Sequence, residues 1–164
     1  MQNTASHGWA DSGGNGTLSA RMYERTNRKS HILIADDFAE WRARARSILQ
    51  ARPEWQVIAE ACDGLQAVQT TLELRPDIVL LDIRMPILNG IEAAESIRRC
   101  CPISRIIFVT QDNDEDIRTA ALATGAAEYL LKTNARRDLV PAIEAALHDA
   151  GPTRPRLEQG TYPS

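Results

Sequence analysis

The chain is 164 residues long, 43% hydrophobic and 25% charged, with a formal net charge of −3. That length suits one domain with a sizeable core; basic residues fall only in short pairs such as Arg98-Arg99 and Arg136-Arg137, so direct nucleic-acid binding is not expected. No stretch approaches the roughly 18 consecutive apolar residues of a membrane span, the N-terminus lacks the apolar core of a secretory signal, and the three cysteines (Cys62, Cys100, Cys101) form neither a C-x-x-C spacing nor an even set, a pattern that reads as cytoplasmic.

Residues 1–30 are rich in Gly, Ser, Asn and Thr around Gly13-Gly14-Asn15-Gly16. They offer too little apolar surface to offset the entropy of ordering and are expected to form a flexible arm, with Met22 as an alternative start. A first strand is predicted over 31–36, ending in the acidic pair Asp36 and Asp37. A helix over 38–51 follows, carried by Ala43, Ile48 and Leu49, then a strand over 55–60 and a helix over 64–74.

The next run, Asp77-Ile-Val-Leu-Leu-Asp82, reads as a fully buried strand over 77–82 with a carboxylate at its C-terminal tip, stopped by Pro86 and Gly90. A helix over 90–100, a strand over 105–110 ending in Thr110, a helix over 114–124 and a strand over 127–131 leading to Lys132 complete the alternation. The last helix, 136–149, carries Leu139, Ile143 and Leu147, with Pro141 expected near enough to its start to be tolerated. Gly151 and Pro152 end it, and residues 150–164 are expected to form a second flexible tail.

Five strand-helix units predict a parallel sheet covered by helices on both faces. In such sheets ligands bind beyond the carboxyl ends of the strands, and Asp36, Asp37, Asp82, Thr110 and Lys132 all fall there. Three carboxylates brought together repel by about 4 kcal/mol per pair at 4 Å and an effective dielectric near 20, so a cation must relieve them. Hard oxygen donors with room for water favour Mg²⁺. A metal, a lysine and a hydroxyl around one carboxylate suit a phosphoryl group carried on it.

This arrangement resembles the receiver domain of two-component response regulators over residues 31–149. Beyond the five polar residues, Met85-Pro86 and Gly90 follow the central aspartate and Tyr129 precedes the lysine by three, as in that family. The resemblance implies a flavodoxin-like, doubly wound five-stranded parallel sheet of order 2-1-3-4-5 with five helices, in a signalling domain rather than an enzyme. It implies that Asp82 accepts a phosphoryl group from a histidine kinase or phosphotransfer protein, with Mg²⁺ held by Asp37, Asp82 and the backbone carbonyl of Arg84, and Asp36 holding a metal-bound water. Thr110 would then turn to the phosphoryl group and Tyr129 rotate inward, changing the face made by the fourth helix and fifth strand. Output would pass through a partner protein, a homodimer or a further phosphoryl relay.

The run Leu130-Leu-Lys-Thr-Asn is closest in motif to receivers that carry helix-turn-helix output domains. Two departures stand out: Gln111 follows Thr110 where a small residue is usual, and with Arg84 it is expected to narrow access to Asp82. Thr133 replaces the usual proline after the lysine, so a cis peptide is not implied. Simpler roles exist for each residue alone: Asp36 or Asp37 would suit a helix cap before Phe38, Lys132 a solvated strand end, and Tyr129 half-buried packing. A haloacid dehalogenase-type phosphatase would need an acid at position 84, and a flavin binder a phosphate loop where Asp36-Asp37-Phe38 stands. The alternative within the family is a degenerate receiver that binds a partner without phosphorylation.

Overall fold

The computed structural model describes residues 28–149, so the expected tail at 150–164 and all but the last three residues of the expected arm lie outside the described residues. Five strands form one parallel sheet: β1 (Ser30–Ala35), β2 (Trp55–Ala61), β3 (Ile78–Leu81), β4 (Arg105–Thr110) and β5 (Glu128–Leu131), in the order β2-β1-β3-β4-β5. The helices are α1 (Ala39–Leu49), α2 (Gly64–Leu74), α3 (Gly90–Cys100), α4 (Glu115–Ala123) and α5 (Ala135–His148), and a single 3-10 turn, Lys132–Asn134, joins β5 to α5. This is the predicted flavodoxin-like, doubly wound sheet with its strand order 2-1-3-4-5. No helix among the described residues is long and apolar enough to cross a membrane.

The central strand is apolar at every position because it is covered twice, and all four of its residues are buried. Alternate residues feed two cores. Leu33, Val79, Leu81, Phe108 and Tyr129 pack with α2, α3 and α4 on one face, while Ile32, Ile34, Leu80, Ile107 and Leu130 pack with Trp41, Leu49, Leu139 and Ile143 of α1 and α5 on the other. Burying such side chains contributes about 1.5–3 kcal/mol each, which makes these two layers the main source of stability.

Element boundaries differ from the sequence reading where side chains, rather than periodicity, set them. The first strand begins at Ser30, whose N–H donates to the Glu54 carbonyl, so the expected arm ends one residue earlier. Helix α1 starts at Ala39, and neither acid caps it. The Asp36 carboxylate instead accepts from the N–H of Phe38, an Asx-type turn that aims the chain into the helix. Asp114 lies outside α4 as its N-cap, accepting from the N–H groups of Asp116 and Ile117. Asn89 and Glu92 form a reciprocal capping box at α3.

Pro141 lies nearly two turns inside α5, deeper than expected, because the helix begins at Ala135. Its missing N–H leaves the Arg137 carbonyl without an in-helix donor, on an exposed stretch of the helix. The peptide after Lys132 is trans, as are all others among the described residues.

Candidate functional site

Five loops converge at the carboxyl edge of the sheet. The N–H of Asp82 donates to the Ala35 carbonyl at 2.9 Å, continuing the β1–β3 pairing just past the last residue of β3, and the N–H of Asp36 donates to the Ala61 carbonyl at 3.0 Å. Strand pairing therefore fixes the backbone of both acids. One oxygen each of Asp36, Asp37 and Asp82 lies within 4.8 Å of the others. Asp36 and Asp82 are buried, at 1% and 5% exposure, while Asp37 faces solvent at the mouth.

Lys132 enters from the 3-10 turn after β5. Its Nζ lies 2.6 Å from Asp36 Oδ2 and 3.5 Å from Asp82 Oδ2, and it also stands 5.4 Å from the centroid of the Trp41 ring. The ammonium is thus held between carboxylates and an aromatic face, each favouring its charge. Burial pushes the Asp82 carboxyl up to about 6, reinforced by the Asp36 charge and opposed by Lys132. Burial likewise raises Asp36, with Lys132 acting against it.

The loop after β3 is clamped tightly. Helix α3 begins so close to it that a Cβ on Gly90 would sit 2.0 Å from the Asp82 carbonyl oxygen, and the Gly90 N–H donates to the Ile83 carbonyl at 2.8 Å. Gly64 at the start of α2 meets the same loop from the other side, 1.9 Å from the Leu88 carbonyl oxygen for an added Cβ. Between them the Leu88 N–H reaches back to the Pro86 carbonyl at 2.8 Å, and Ile87 takes a φ of 69°, a conformation that costs a β-branched residue.

Thr110 is buried at the end of β4, and its hydroxyl oxygen accepts from the N–H of Asp112 at 3.2 Å. Tyr129 is buried as well, its hydroxyl donating to the Asp112 carbonyl at 2.9 Å, so it holds the inward position that the sequence reading assigned to the phosphorylated chain. Burial raises the phenol, and the charge of Asp112 adds to this. Gln111 is exposed. Arg84, expected to lean over Asp82, instead gives both Nε and Nη2 to Asp112 Oδ2, at 2.8 and 2.6 Å.

The structure therefore brings Asp36, Asp37, Asp82 and Lys132 to one pocket and places Thr110 beside it, with Tyr129 behind. Two groups escaped the sequence reading. Arg42 donates to the Asp36 carbonyl at 2.7 Å and to Glu60 Oε2 at 2.9 Å, with Arg46 also paired to Glu60, so a helix residue braces the acidic loop against β2. Asp112 gathers Arg84, Thr110 and Tyr129 around itself. Periodicity marks Arg42 only as a helical position, and Asp112 only as one of several acids ahead of α4.

Asp36 Oδ2 is taken up by the Lys132 ammonium at 2.6 Å, which leaves Asp37 exposed to solvent and Asp82 the less closely paired acid. Three carboxylates with a single ammonium among them form an oxygen donor set that a hard divalent cation fits, since their charge is only partly neutralised.

A family model of the response regulator receiver domain matches residues 32–144. Among curated relatives, the transcriptional regulatory protein LnrK of Bacillus subtilis is 39% identical over 124 residues, covering 76% of this chain and 56% of its own length. The chain spans little more than half the length of the first curated relatives it matches. A LuxR-family two-component response regulator from Aurantimonas matches with a TM-score of 0.70 and 34% identity, over 74% of this chain and 86% of that one. A complex of CheX with CheY, BeF3 and Mg from Borrelia burgdorferi matches with a TM-score of 0.70 and 25% identity, over 74% and 92%.

Proposed function

The chain belongs to the response regulator receiver family of two-component systems, and from that premise we propose that Asp82 accepts a phosphoryl group from a histidine kinase or phosphotransfer protein and that the acceptance changes a partner-binding face. The observation that carries this reading is the convergence of Asp36, Asp37 and Asp82 within 4.8 Å, with Lys132 bound between two of them.

Asp37, Asp82 and the Arg84 carbonyl would hold Mg²⁺, with Asp36 orienting water on it. The cation supplies charge neutralisation for the transferring group. This chain's residues do the rest. Asp82 presents a carboxylate oxygen fixed by its backbone bond to Ala35; that oxygen forms the new O–P bond as the donor's N–P bond breaks, and the departing nitrogen keeps that electron pair and takes a proton from solvent to leave a neutral imidazole. The kept ionised form is needed for attack, so Lys132 serves both to favour the Asp82 carboxylate and to neutralise the phosphoryl oxygens. Thr110 offers its hydroxyl as a donor to the same group. Arg42 and Trp41 act through others, the first fixing the Asp36 loop and the second the lysine.

Cytoplasmic action and output through a partner protein or a homodimer belong to the same reading, supported by the family alone. Incubation with acetyl phosphate and Mg²⁺ followed by intact-mass measurement tests it. One added phosphoryl group, absent in Asp82→Asn and lost without Mg²⁺, is expected. No gain from either a small donor or a phosphorylated kinase would favour the phosphorylation-independent receiver instead.

A further inference from the structure

The geometry points to Asp112 as the positioning residue through which a charge on Asp82 reaches Tyr129, by way of Arg84. This rests on the phosphoacceptor reading above and extends it to how the signal leaves the pocket.

Four contacts meet at Asp112. Its Oδ2 receives two guanidinium nitrogens of Arg84, from the loop that carries Asp82. Its N–H donates to the Thr110 hydroxyl oxygen, its carbonyl accepts from the Tyr129 hydroxyl, and its Oδ1 lies 3.4 Å from the N–H of Asp114, the N-cap of α4. One residue thus joins the phosphoacceptor loop, the hydroxyl, the tyrosine and the start of the fourth helix. Arg118 of that helix stands over the tyrosine ring at 5.6 Å, so the helix is tied to the same point from its far side.

The pair is asymmetric. The Arg84 side chain is 75% exposed and that of Asp112 is 8% exposed, so turning the arginine away disturbs little packing and turning the aspartate disturbs much. A phosphoryl group on Asp82, two residues before Arg84, adds a strong acceptor on the same loop as an exposed guanidinium that prefers bidentate oxygen partners. Once Arg84 turns to it, the Asp112 carboxylate is left buried, unpaired and closer to a new negative charge. Such a group must move toward water. Its own backbone holds Thr110 and Tyr129, so the displacement is delivered to both. Arg84 therefore serves as the sensor of charge and Asp112 as the lever.

Incorporation of 3-fluorotyrosine tests this, because the chain has only three tyrosines and Tyr129→Phe assigns the resonance. The fluorine signal of Tyr129 is followed while acetyl phosphate and Mg²⁺ are added, with intact mass recorded on the same samples. In the wild type the resonance is expected to move as mass rises. In Asp112→Asn, which keeps the shape and loses the charge, mass should still rise while the resonance moves by less than half the wild-type displacement, and in Arg84→Ala the displacement read per phosphoryl group gained should fall by the same measure. Arg84→Lys should fall between. A full wild-type displacement in phosphorylated Arg84→Ala and Asp112→Asn overturns the inference and leaves the phosphoacceptor reading intact. Absence of any mass gain in the wild type, from acetyl phosphate and from a phosphorylated kinase alike, overturns that reading and the inference with it.

Discussion

The Lys132 ammonium lies closer to Asp36, at 2.6 Å, than to Asp82, at 3.5 Å. The lysine is thus chiefly the counter-ion of the neighbouring acid, which leaves the attacking carboxylate less well neutralised. The raised Asp82 carboxyl follows from the same imbalance, since burial and the Asp36 charge both act against its ionisation.

Removing that lysine should destabilise the metal-free protein. Lys132→Met leaves two buried carboxylates without their cation, a loss of about 3 kcal/mol at neutral pH by analogy with other broken buried pairs. Urea unfolding should show the loss shrinking on addition of Mg²⁺, which replaces the missing charge. An unfolding midpoint equal to the wild type's without Mg²⁺ would show that the pair contributes nothing.

Stability should depend on pH through Asp82. Its carboxyl stands at about 6 in the folded chain against an ordinary value of 3.8, so between these values the folded state binds more protons than the unfolded state. Stability from this group is therefore present below about pH 4 and is lost as pH rises through about 6, by up to roughly 3 kcal/mol. The difference in unfolding free energy between wild type and Asp82→Asn, measured without divalent cations from pH 4 to 7.5, isolates it from other carboxylates. Asp82→Asn should gain relative to wild type as pH rises, and saturating Mg²⁺ should remove the gain. A constant difference would contradict the raised value.

Gly90 admits no side chain. A Cβ there would fall 2.0 Å from the Asp82 carbonyl oxygen, which is backbone and has little freedom to retreat. Gly90→Ala should cost about 1–3 kcal/mol and slow phosphoryl uptake, because the clash displaces the acceptor itself. Wild-type uptake in a destabilised variant would separate the packing role from the positional one.

Ile87 offers the opposite case. Its φ of 69° strains a β-branched side chain that is 77% exposed and packs little. Ile87→Asn should stabilise the protein by about 1 kcal/mol, since asparagine tolerates that region. Thermal unfolding would reveal a lowered midpoint if the isoleucine were instead held by contacts.

Arg42 should govern cation affinity without touching the cation. By fixing the Asp36 carbonyl and Glu60 it sets where the acidic loop stands, so Arg42→Ala should weaken Mg²⁺ binding about tenfold. Calorimetric titration checks this, and unchanged affinity would make the arginine a surface brace only.

The fold and the acid pocket were legible because they depend on position along the chain. Apolar runs such as Ile78–Leu81 declare buried strands, and the sheet topology then carries Asp36, Asp82, Thr110 and Lys132 to one edge. What escaped depends on direction. Nothing in the spacing says that the Arg84 guanidinium turns to Asp112 rather than over Asp82, or that Asp36 spends one oxygen on Phe38 instead of a helix end. The Arg42 side chain reaches a backbone carbonyl, and Asp112 acts through its own N–H and carbonyl as much as through its carboxylate; backbone partners leave no mark on residue type. Pro141 stands one position deeper in its helix than the pattern indicates, because the 3-10 turn and the following helix run together at Ala135.

The two cores differ in the aromatic residues they hold. Trp41 of α1 and Trp55 of β2 lie in the core layer that α1 and α5 cover, whereas Phe108 and Tyr129 lie under α2, α3 and α4. With Trp9 replaced, every remaining indole belongs to the side of the sheet where the lysine sits, and Trp41 touches that lysine directly. Indole emission then follows the filling of the pocket while a label on the tyrosine follows the opposite layer, so arrival of the signal and its display can be timed separately in one molecule.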